Sequence, residues 1–453
     1  GDEAPRVIGD AGGYLFASVG GRLGGAPMQR PPVWSPDGAR VAYIAEREGR
    51  AELCVSDAAS GASRRAAELN GDVRRFVWTG AAAIVVEIAT PRAVLEAEQE
   101  AANARGIALD DRFEPVYRVG LIPNDAVGKS VWLVDLETSA ARPASNEEAE
   151  ALTAPAQRLP RAEVTATGAF PNATSVPLTP VLITAEGRAE CGLALCQGRI
   201  RHLWTSSDGA SLYFIRPETA GAEAALYVWT PATNNLRELA RLEGVLASCQ
   251  LGAQALFCLL ETPANPRRIV AIDLGSGAVR TLYDPNPEWR RIAQPRMARF
   301  DVRDADGNAS FGRLIYPLNL RPGRRYPLII TQYRARGFLG AGVSGEYPVL
   351  PMSARSYFVL VVDRPQDEAR ASRLPFADYQ RETELSGSEL DVKINSIALM
   401  LQHLRSERTI DMDRLAITGM SDGAETLFAL LNRGWRFRAA IASTNPSDRS
   451  LWW

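Results

Sequence analysis

The residues with the clearest chemical meaning form the pentapeptide Gly419-Met420-Ser421-Asp422-Gly423, a Gly-x-Ser-x-Gly pattern. Residues 415–418, directly before it, are typical of a buried strand, and residues 424–432 read as a helix that ends near Gly434. A serine at a sharp turn from strand to helix exposes its hydroxyl at the carboxyl edge of a sheet. We therefore predict that Ser421 is the nucleophile of an acyl-transfer reaction. A plain tight turn is the alternative.

Such a nucleophile needs hydrogen-bond donors that stabilise the oxyanion formed when it attacks a carbonyl group. The backbone N–H of Asp422, at the N-terminus of the predicted helix, is the first candidate donor. The second is expected from the loop after the predicted strand 328–332. Tyr333 begins that loop, and its hydroxyl could reach over Ser421. A structural tyrosine packed under the loop is the alternative.

A serine hydroxyl reacts at neutral pH only when a base, oriented by an acid, removes its proton. The chain has two histidines, His202 and His403. His403 lies about 180° from Ile394 on a predicted helix, so it points away from the apolar face. His202 lies at the start of a strand. Because the acid and the histidine follow the serine in α/β-hydrolases, we expect both beyond Trp453, and we expect the segment itself to be hydrolytically inactive.

The composition argues against several other classes of protein. The 51 Lys and Arg residues balance 53 Asp and Glu residues, for a formal net charge of −2, so no overall field favours nucleic acid or an anionic membrane. The longest apolar stretches, such as 327–331 and 358–362, are much shorter than the ~20 residues of a membrane-spanning helix. Two histidines and isolated cysteine pairs do not suggest a metal centre, and no cofactor is expected.

The five cysteines fall into two close pairs and one single residue. A predicted turn separates Cys191 from Cys196, and a predicted hairpin turn separates Cys249 from Cys258. Two local disulfides, with Cys54 as a spare thiol, fit this spacing and favour an oxidising compartment. The alternative is a cytoplasmic protein in which the cysteines are small buried side chains.

Most of the first two thirds of the chain reads as short strands separated by turns. The unit around Trp34 recurs at Trp78, 44 residues later, and the unit around Trp204 recurs at Cys249, 45 residues later. This is the period of a four-stranded propeller blade. The gap between Trp78 and Trp204 holds one further blade and an insertion. We therefore predict a partial N-terminal β-propeller of about five blades over residues 1–288.

The insertion, near residues 90–119, holds the one convincing helical pattern of this part. Thr90 is a suitable N-cap, Pro91 suits the first helical position, and Gly106 ends a segment rich in Ala, Glu and Leu. We expect this helix to decorate one face of the propeller. A lid or a substrate-contacting arm is the functional alternative.

After residues 284–287, Asp-Pro-Asn-Pro, the pattern changes to alternating strands and helices. An amphipathic helix is predicted over residues 391–406, with one apolar face formed by Ile394, Ile397, Ala398, Leu401 and Leu404. The predicted strands are 297–303, 312–316, 327–333, 358–363, 414–418 and 439–443. This alternation indicates an α/β fold with a parallel sheet. Residues 289–453 are therefore predicted to form an incomplete α/β-hydrolase domain.

A propeller followed by an α/β-hydrolase domain with this spacing resembles the prolyl oligopeptidase family of serine peptidases. Residues 329–333 are similar to the strand and oxyanion tyrosine of its dipeptidyl-peptidase branch, and residues 391–423 to the helix, strand and nucleophile turn of that branch. Within this frame, residues 332–339, 345–348 and 421–424, together with the cysteine pairs and the insert, look like the lasso peptide isopeptidases.

This resemblance implies a bacterial, periplasmic or secreted serine hydrolase that cleaves an amide bond of a peptide through an acyl-enzyme. The most specific form of that prediction is cleavage of the isopeptide bond of a lasso peptide. The implied partner is this peptide substrate, and neither nucleic acid nor membrane is an expected partner. The sequence departs from the family at the front, where about two blades are absent, and at the back, where the acid and base are absent. The oligomeric state is not predicted.

Two other functions remain open. A dipeptidyl or acylaminoacyl-type peptidase of the same family would need an acidic pair that grips a free amine. Glu96, Glu98 and Glu100 are candidates for that pair, although a solvated helix face explains them better. The second alternative is a non-catalytic propeller that acts as a binding module.

Overall fold

The computed structural model describes residues 6–12, 16–19, 22–27, 31–106, 128–152, 160–166, 178–333, 335–340, 347–365, 378 and 388–443. The chain forms two compact units, Gly1–Arg158 and Leu159–Trp453. The domain boundary at residues 288 and 289 remains a prediction. Within the described residues, no helix has both the length and the apolar character needed to cross a bilayer.

The first unit contains a short hairpin and two four-stranded antiparallel sheets. The hairpin pairs β1 (Phe16–Val19) with β2 (Arg22–Pro27). The first sheet consists of β3 (Val33–Trp34), β4 (Arg40–Arg47), β5 (Arg50–Asp57) and β6 (Ser63–Arg65). The second consists of β7 (Asp72–Trp78), β8 (Ala83–Ala89), β9 (Lys129–Asp135) and β10 (Ala141–Pro143), and a short helix follows at Asn146–Glu150. Apolar side chains of both sheets share one core.

The predicted insertion helix is present as α1 (Arg92–Arg105), and the helix Asn146–Glu150 is therefore α2. Gly106 follows α1 with φ of +83°, as expected for a residue that ends a helix. The prediction that Thr90 caps this helix is wrong, because its hydroxyl accepts a hydrogen bond from the N–H of Gly128. The carboxylate of Asp72 instead accepts the N–H of Arg92 at 2.8 Å, since β7 brings it beside the helix start.

The second unit begins with three further antiparallel sheets. The third sheet consists of β11 (Arg161–Ala166), β12 (Leu178–Thr184) and β13 (Gly187–Glu190). The fourth consists of β14 (His202–Thr205), β15 (Leu212–Glu218), β16 (Glu223–Thr230) and β17 (Asn235–Glu243). The fifth consists of β18 (Val245–Leu251), β19 (Ala255–Thr262), β20 (Asn265–Asp273) and β21 (Val279–Tyr283). Five successive sheets of this type confirm the predicted number of blades.

Both predicted disulfides form within this unit. The Cys191–Cys196 bond closes a turn after β13, and the Cys249–Cys258 bond joins β18 to β19 across their hairpin. Cys54 is a buried free thiol. The alternative in which all the cysteines are buried thiols is therefore wrong.

The chain ends, within the described residues, in a six-stranded sheet of order β22-β23-β25-β24-β26-β27. Its strands are β22 (Met297–Arg303), β23 (Ala309–Ile315), β24 (Tyr326–Tyr333), β25 (Phe358–Asp363), β26 (Ile410–Met420) and β27 (Ala439–Ser443). The prediction of a parallel sheet is correct only for β24 to β27. The strands β22 and β23 are antiparallel, because a short turn joins them as a hairpin.

The helices whose bounds are described in this part of the chain are α3 (Val349–Ala354), α4 (Ser388–Leu404) and α5 (Asp422–Asn432). The apolar face predicted for α4 is confirmed, since Ile394, Ile397 and Leu401 are buried against the sheet. All six residues of β25 are buried, which is typical of a central strand covered on both faces. This rigid core holds the loops at the carboxyl ends of β24, β25 and β26.

Candidate active site

Ser421 lies at the turn between β26 and α5, as the Gly-x-Ser-x-Gly pattern predicted. Its φ of +54° belongs to the left-handed region, which is uncommon for a residue other than glycine. The side chain is exposed and makes no hydrogen bond with a described residue. Its backbone is held by β27, because its N–H donates to the carbonyl of Ser443 at 2.9 Å. The serine side chain is therefore exposed on a turn whose backbone is held in place.

The two glycines of the motif are required by the close approach of three backbone segments. A Cβ atom on Gly419 would lie 2.5 Å from Nε2 of Gln332, and one on Gly423 would lie 2.5 Å from the carbonyl oxygen of Gln332. The buried Gln332 also donates its side-chain amide to the carbonyl of Gly423. The end of β24 is thus packed directly against the serine turn, and only glycine leaves enough room there.

The backbone N–H of Asp422 is the first N–H of α5 and has no acceptor among the described residues. Donors at a helix N-terminus are oriented along the axis and carry partial positive charge. This N–H therefore has the geometry and electrostatics expected of the oxyanion donor that the sequence suggested.

The loop after β24 is held by the neighbouring strand. Asp363, at the end of β25, is 2% exposed and accepts the N–H of Ala335 at 2.9 Å. Its second carboxylate oxygen pairs with Arg336 at 3.1 Å. The backbone of Tyr333 pairs with Asp363 in the sheet, but the side chain of Tyr333 lies outside the described part of the chain, so its predicted role stays a prediction.

A charged cluster surrounds the side chain of Asp422. The ammonium group of Lys393, on α4, lies 2.5 Å from one carboxylate oxygen, and Arg364, directly after β25, lies 3.3 Å from the other. Glu389 pairs with both cations and completes the cluster. Helix α5 is therefore tied at its first residue to α4 and to the loop after β25.

Lys393 is the unusual member of this cluster because it is 4% exposed. Burial and, to a smaller extent, the positive charge of Arg364 lower the pKa of its ammonium group, whereas Asp422 raises it, and the net result is a pKa of about 8. Strongly shifted pKa values are enriched at functional sites, and this lysine contacts the residue directly after Ser421.

Neither histidine is brought to Ser421 by a described contact. His403 is exposed on the last turn of α4, where it stacks on Phe300 with ring centroids 4.8 Å apart. Phe300 belongs to β22, and three strands of the sheet lie between β22 and β26, the strand that leads to Ser421. His202 stacks on Trp204 within the fourth sheet. The position of the catalytic acid and histidine beyond Trp453 remains a prediction.

The other candidate residues are placed as follows. Glu98 and Glu100 are exposed on α1, and the side chain of Glu96 lies outside the described residues. Within the part of the chain that the structure describes, no group of three or more His, Cys, Asp and Glu side chains could hold a metal ion.

Four residues of this site were not predicted from the sequence: Lys393, Arg364, Glu389 and Asp363. One signal was available for Lys393: it lies four residues before Ile397 and seven before Met400, on the apolar face of α4. A charged residue at such a position is unusual and requires a buried partner. The other three were not marked by any pattern.

Comparison with known proteins supports this architecture. The chain is 30% identical, over 97% of its length, to the lasso peptide isopeptidase AtxE2 of Asticcacaulis excentricus. It is 25% identical, over 53% of its length, to dipeptidyl peptidase 8 of Mus musculus. The chain spans 65% of the length of the first relative and 28% of the second. No family model matches the chain.

Solved structures give the same result. The structure superposes on ligand-free AtxE2 isopeptidase with a TM-score of 0.80, at 28% identity, over 97% of this chain and 69% of that one. For the acylaminoacyl peptidase of Pyrococcus horikoshii the TM-score is 0.59, at 16% identity, over 92% of this chain and 70% of that one, which supports the fold alone.

The fold is therefore that of the prolyl oligopeptidase family, with an N-terminal β-propeller and an α/β-hydrolase domain. Within that class, the chain is similar in sequence and structure to a lasso peptide isopeptidase, as its motifs indicated.

Proposed function

We propose that the protein is a serine hydrolase that cleaves the isopeptide bond of a lasso peptide through an acyl-enzyme. The observation that carries this proposal is the exposed side chain of Ser421 on a strand-to-helix turn, beside the N–H of Asp422, for which the described residues provide no acceptor. The similarity to AtxE2 supports the choice of substrate. A solved structure of a serine-to-alanine variant of that relative holds the peptide Astexin3-dC4.

The geometry supports a two-step reaction. The oxygen of Ser421 attacks the carbonyl carbon of the isopeptide bond, and its proton passes to a base and then to the leaving amine as the C–N bond breaks. The N–H of Asp422 donates to the oxyanion, and a second donor comes from the loop after β24, which Asp363 holds in place. A water molecule then cleaves the ester and restores the hydroxyl of Ser421.

We also propose that the protein works in an oxidising compartment, periplasmic or extracellular. The two disulfides of the second unit support this location, because such bonds persist where thiols are not kept reduced.

The decisive experiment uses the full product of the gene. A fluorophosphonate probe is expected to label the protein at Ser421 and to leave Ser421→Ala unlabelled. Ser406→Ala is the matched control, because Ser406 is an exposed serine just after α4, and it should be labelled like the wild type. Labelling of Ser421→Ala at the wild-type level would exclude Ser421 as the nucleophile.

The substrate is tested by mass spectrometry with a threaded lasso peptide and its unthreaded linear form. We expect the threaded peptide to gain the mass of one water and the linear control to remain unchanged. Cleavage of the linear peptide two residues from its N-terminus would instead indicate a dipeptidyl peptidase. Binding without labelling or cleavage would indicate a non-catalytic propeller.

A further inference from the structure

A cavity of about 470 Å³ lies within the second unit, beside the proposed active site. Its walls come from the segment before β14, the end of β15, the turn between β22 and β23, and the loops after β24 and β25. The fourth sheet and the six-stranded sheet therefore both contribute to it.

Arginine is the most frequent residue type in the described wall of the cavity. One acidic residue, Glu218, faces five arginines, which are Arg199, Arg216, Arg303, Arg336 and Arg364. The carboxylate of Asp304, in the turn between β22 and β23, accepts hydrogen bonds from the N–H groups of Asp306 and Asn308 and from the Asn308 amide. These hydrogen bonds of Asp304 therefore lie within its own turn and do not involve the arginines of the cavity.

Three of the arginines are oriented by acidic partners. Arg216 lies 3.3 Å from Glu218, Arg336 lies 3.1 Å from Asp363, and Arg364 shares Asp422 and Glu389 with Lys393. Arg303 has no acidic partner among the described residues, and donates to the carbonyl of Gly307. The cavity therefore holds fixed guanidinium groups, and among the described residues no carboxylate pairs with Arg303.

The cavity lies at the edge of the sheet that carries Ser421. Strands β24, β25 and β26 are parallel, so their carboxyl ends meet at one edge. Arg336 follows β24 by three residues, Arg364 follows β25 by one, and Ser421 follows β26 by one. The side chain of Arg364 also contacts Asp422, the neighbour of Ser421.

We propose that this cavity binds carboxylate groups of an acidic peptide substrate and so selects acidic peptides. The carboxylate could be an Asp or Glu side chain outside the ring bond or the C-terminus. The guanidinium fork matches a carboxylate with two parallel hydrogen bonds, and such charge-assisted bonds are stronger than neutral ones. This inference rests on the proposed function only in taking the substrate to be a peptide.

The test measures the affinity of the full gene product, carrying Ser421→Ala to prevent turnover, for three forms of one threaded peptide. The first form has free aspartates outside the ring bond and a free C-terminus. The second has those aspartates replaced by asparagine, and the third has a C-terminal amide. We expect the form that lacks the recognised carboxylate to bind about tenfold more weakly, which identifies the source of the carboxylate.

Arg303→Gln assigns the effect to the cavity. Arg303 is exposed and has no acidic partner in the described part of the chain, so its replacement leaves no described carboxylate unpaired. This substitution should lower the affinity for the acidic peptide about three- to tenfold and leave the affinity for the neutralised peptide unchanged within about twofold. Arg303→Glu should lower the affinity for the acidic peptide further and raise the affinity for a peptide with lysine in place of aspartate. Arg405→Gln is the matched control, since Arg405 is exposed just after α4, at the opposite edge of the sheet.

Equal affinity of the wild type for all three peptides would overturn the proposal, as would equal behaviour of Arg303→Gln and Arg405→Gln. A variant that fails to fold would also lose its affinity for the neutralised peptide, so misfolding can be distinguished from the loss of a carboxylate contact. If the protein with Ser421 intact bound peptides according to charge and yet cleaved none of them, the result would contradict the proposed function and support carboxylate binding by the cavity. Cleavage of acidic and neutralised peptides at the same rate would support the proposed function and contradict carboxylate binding by the cavity.

Discussion

The ammonium nitrogen of Lys393 lies 2.5 Å from a carboxylate oxygen of Asp422, the residue directly after Ser421. The contact joins α4 to the first residue of α5. Because Lys393 is almost fully buried, its charge must be balanced by Asp422 and Glu389. The orientation of the proposed oxyanion donor therefore depends on a side chain on another helix.

The first prediction concerns the pKa of Lys393. Burial lowers that pKa to about 8, so the side chain should titrate about two pH units below an ordinary lysine. The sequence holds two lysines, Lys129 and Lys393. Lysine-selective ¹³C NMR of residues 1–453 should therefore show two ε-carbon signals, and Lys129→Arg assigns them. A midpoint near pH 10.5 for Lys393 would contradict the prediction.

The second prediction concerns stability between pH 8 and 10. The folded state releases the Lys393 proton near pH 8, whereas the unfolded chain keeps it to about pH 10.5. The unfolded state therefore binds more protons in this range, and the wild type should gain up to about 1.4 kcal/mol per pH unit relative to Lys393→Met. Urea unfolding at pH 8.0 and 9.5 measures this gain. Parallel pH dependence of the two proteins would show that Lys393 does not titrate there.

The third prediction tests the close packing at the serine turn. A Cβ atom on Gly423 would overlap the carbonyl of Gln332, so Gly423→Ala should lower the free energy of unfolding by about 1–3 kcal/mol and reduce probe labelling of Ser421. Gly192→Ala is the control, because a Cβ there meets nothing within 4 Å. Its stability should stay within about 0.5 kcal/mol of the wild type. Wild-type labelling of Gly423→Ala would argue against a tightly packed turn.

The fourth prediction concerns the loop after β24. Asp363→Ala leaves the N–H of Ala335 without its acceptor and Arg336 without its ion pair. Loss of one partner of a buried pair costs about 3–5 kcal/mol, and we expect kcat to fall because the loop loses its anchor. Chemical unfolding and peptide hydrolysis are the measurements. If the Asp363→Ala protein were destabilised but kept its kcat, catalysis would not depend on the anchoring of this loop.

The fifth prediction concerns the thiols. Without reductant, residues 1–453 should show no thiol that reacts with iodoacetamide when folded, because Cys54 is 1% exposed and burial raises the pKa of its thiol. In denaturant one thiol should react, and all five after reduction. Replacing Cys249 and Cys258 by serine should cost about 2–3 kcal/mol of stability. Three or more reactive thiols in denaturant alone would show that a disulfide is missing.

Local patterns in the sequence were sufficient for most of the fold. The recurrence of the Trp34 unit at Trp78 and of the Trp204 unit at Cys249 predicted the blades, and the cysteine spacing favoured both disulfides. The strand, Gly-x-Ser-x-Gly turn and helix around Ser421 were also predicted correctly. These features depend on neighbours within a few residues, so periodicity and turn chemistry are enough to reveal them.

The tertiary structure alone decided how distant residues meet. The capping of α1 by Asp72, the antiparallel pair β22 and β23 within the sheet, the contact of Lys393 with Asp422, and the five arginines of the cavity all depend on it. Each of them joins segments whose relative position follows from strand register and helix packing rather than from local sequence. The sequence by itself therefore determined the presence of a serine turn, whereas packing determined the charges that surround it.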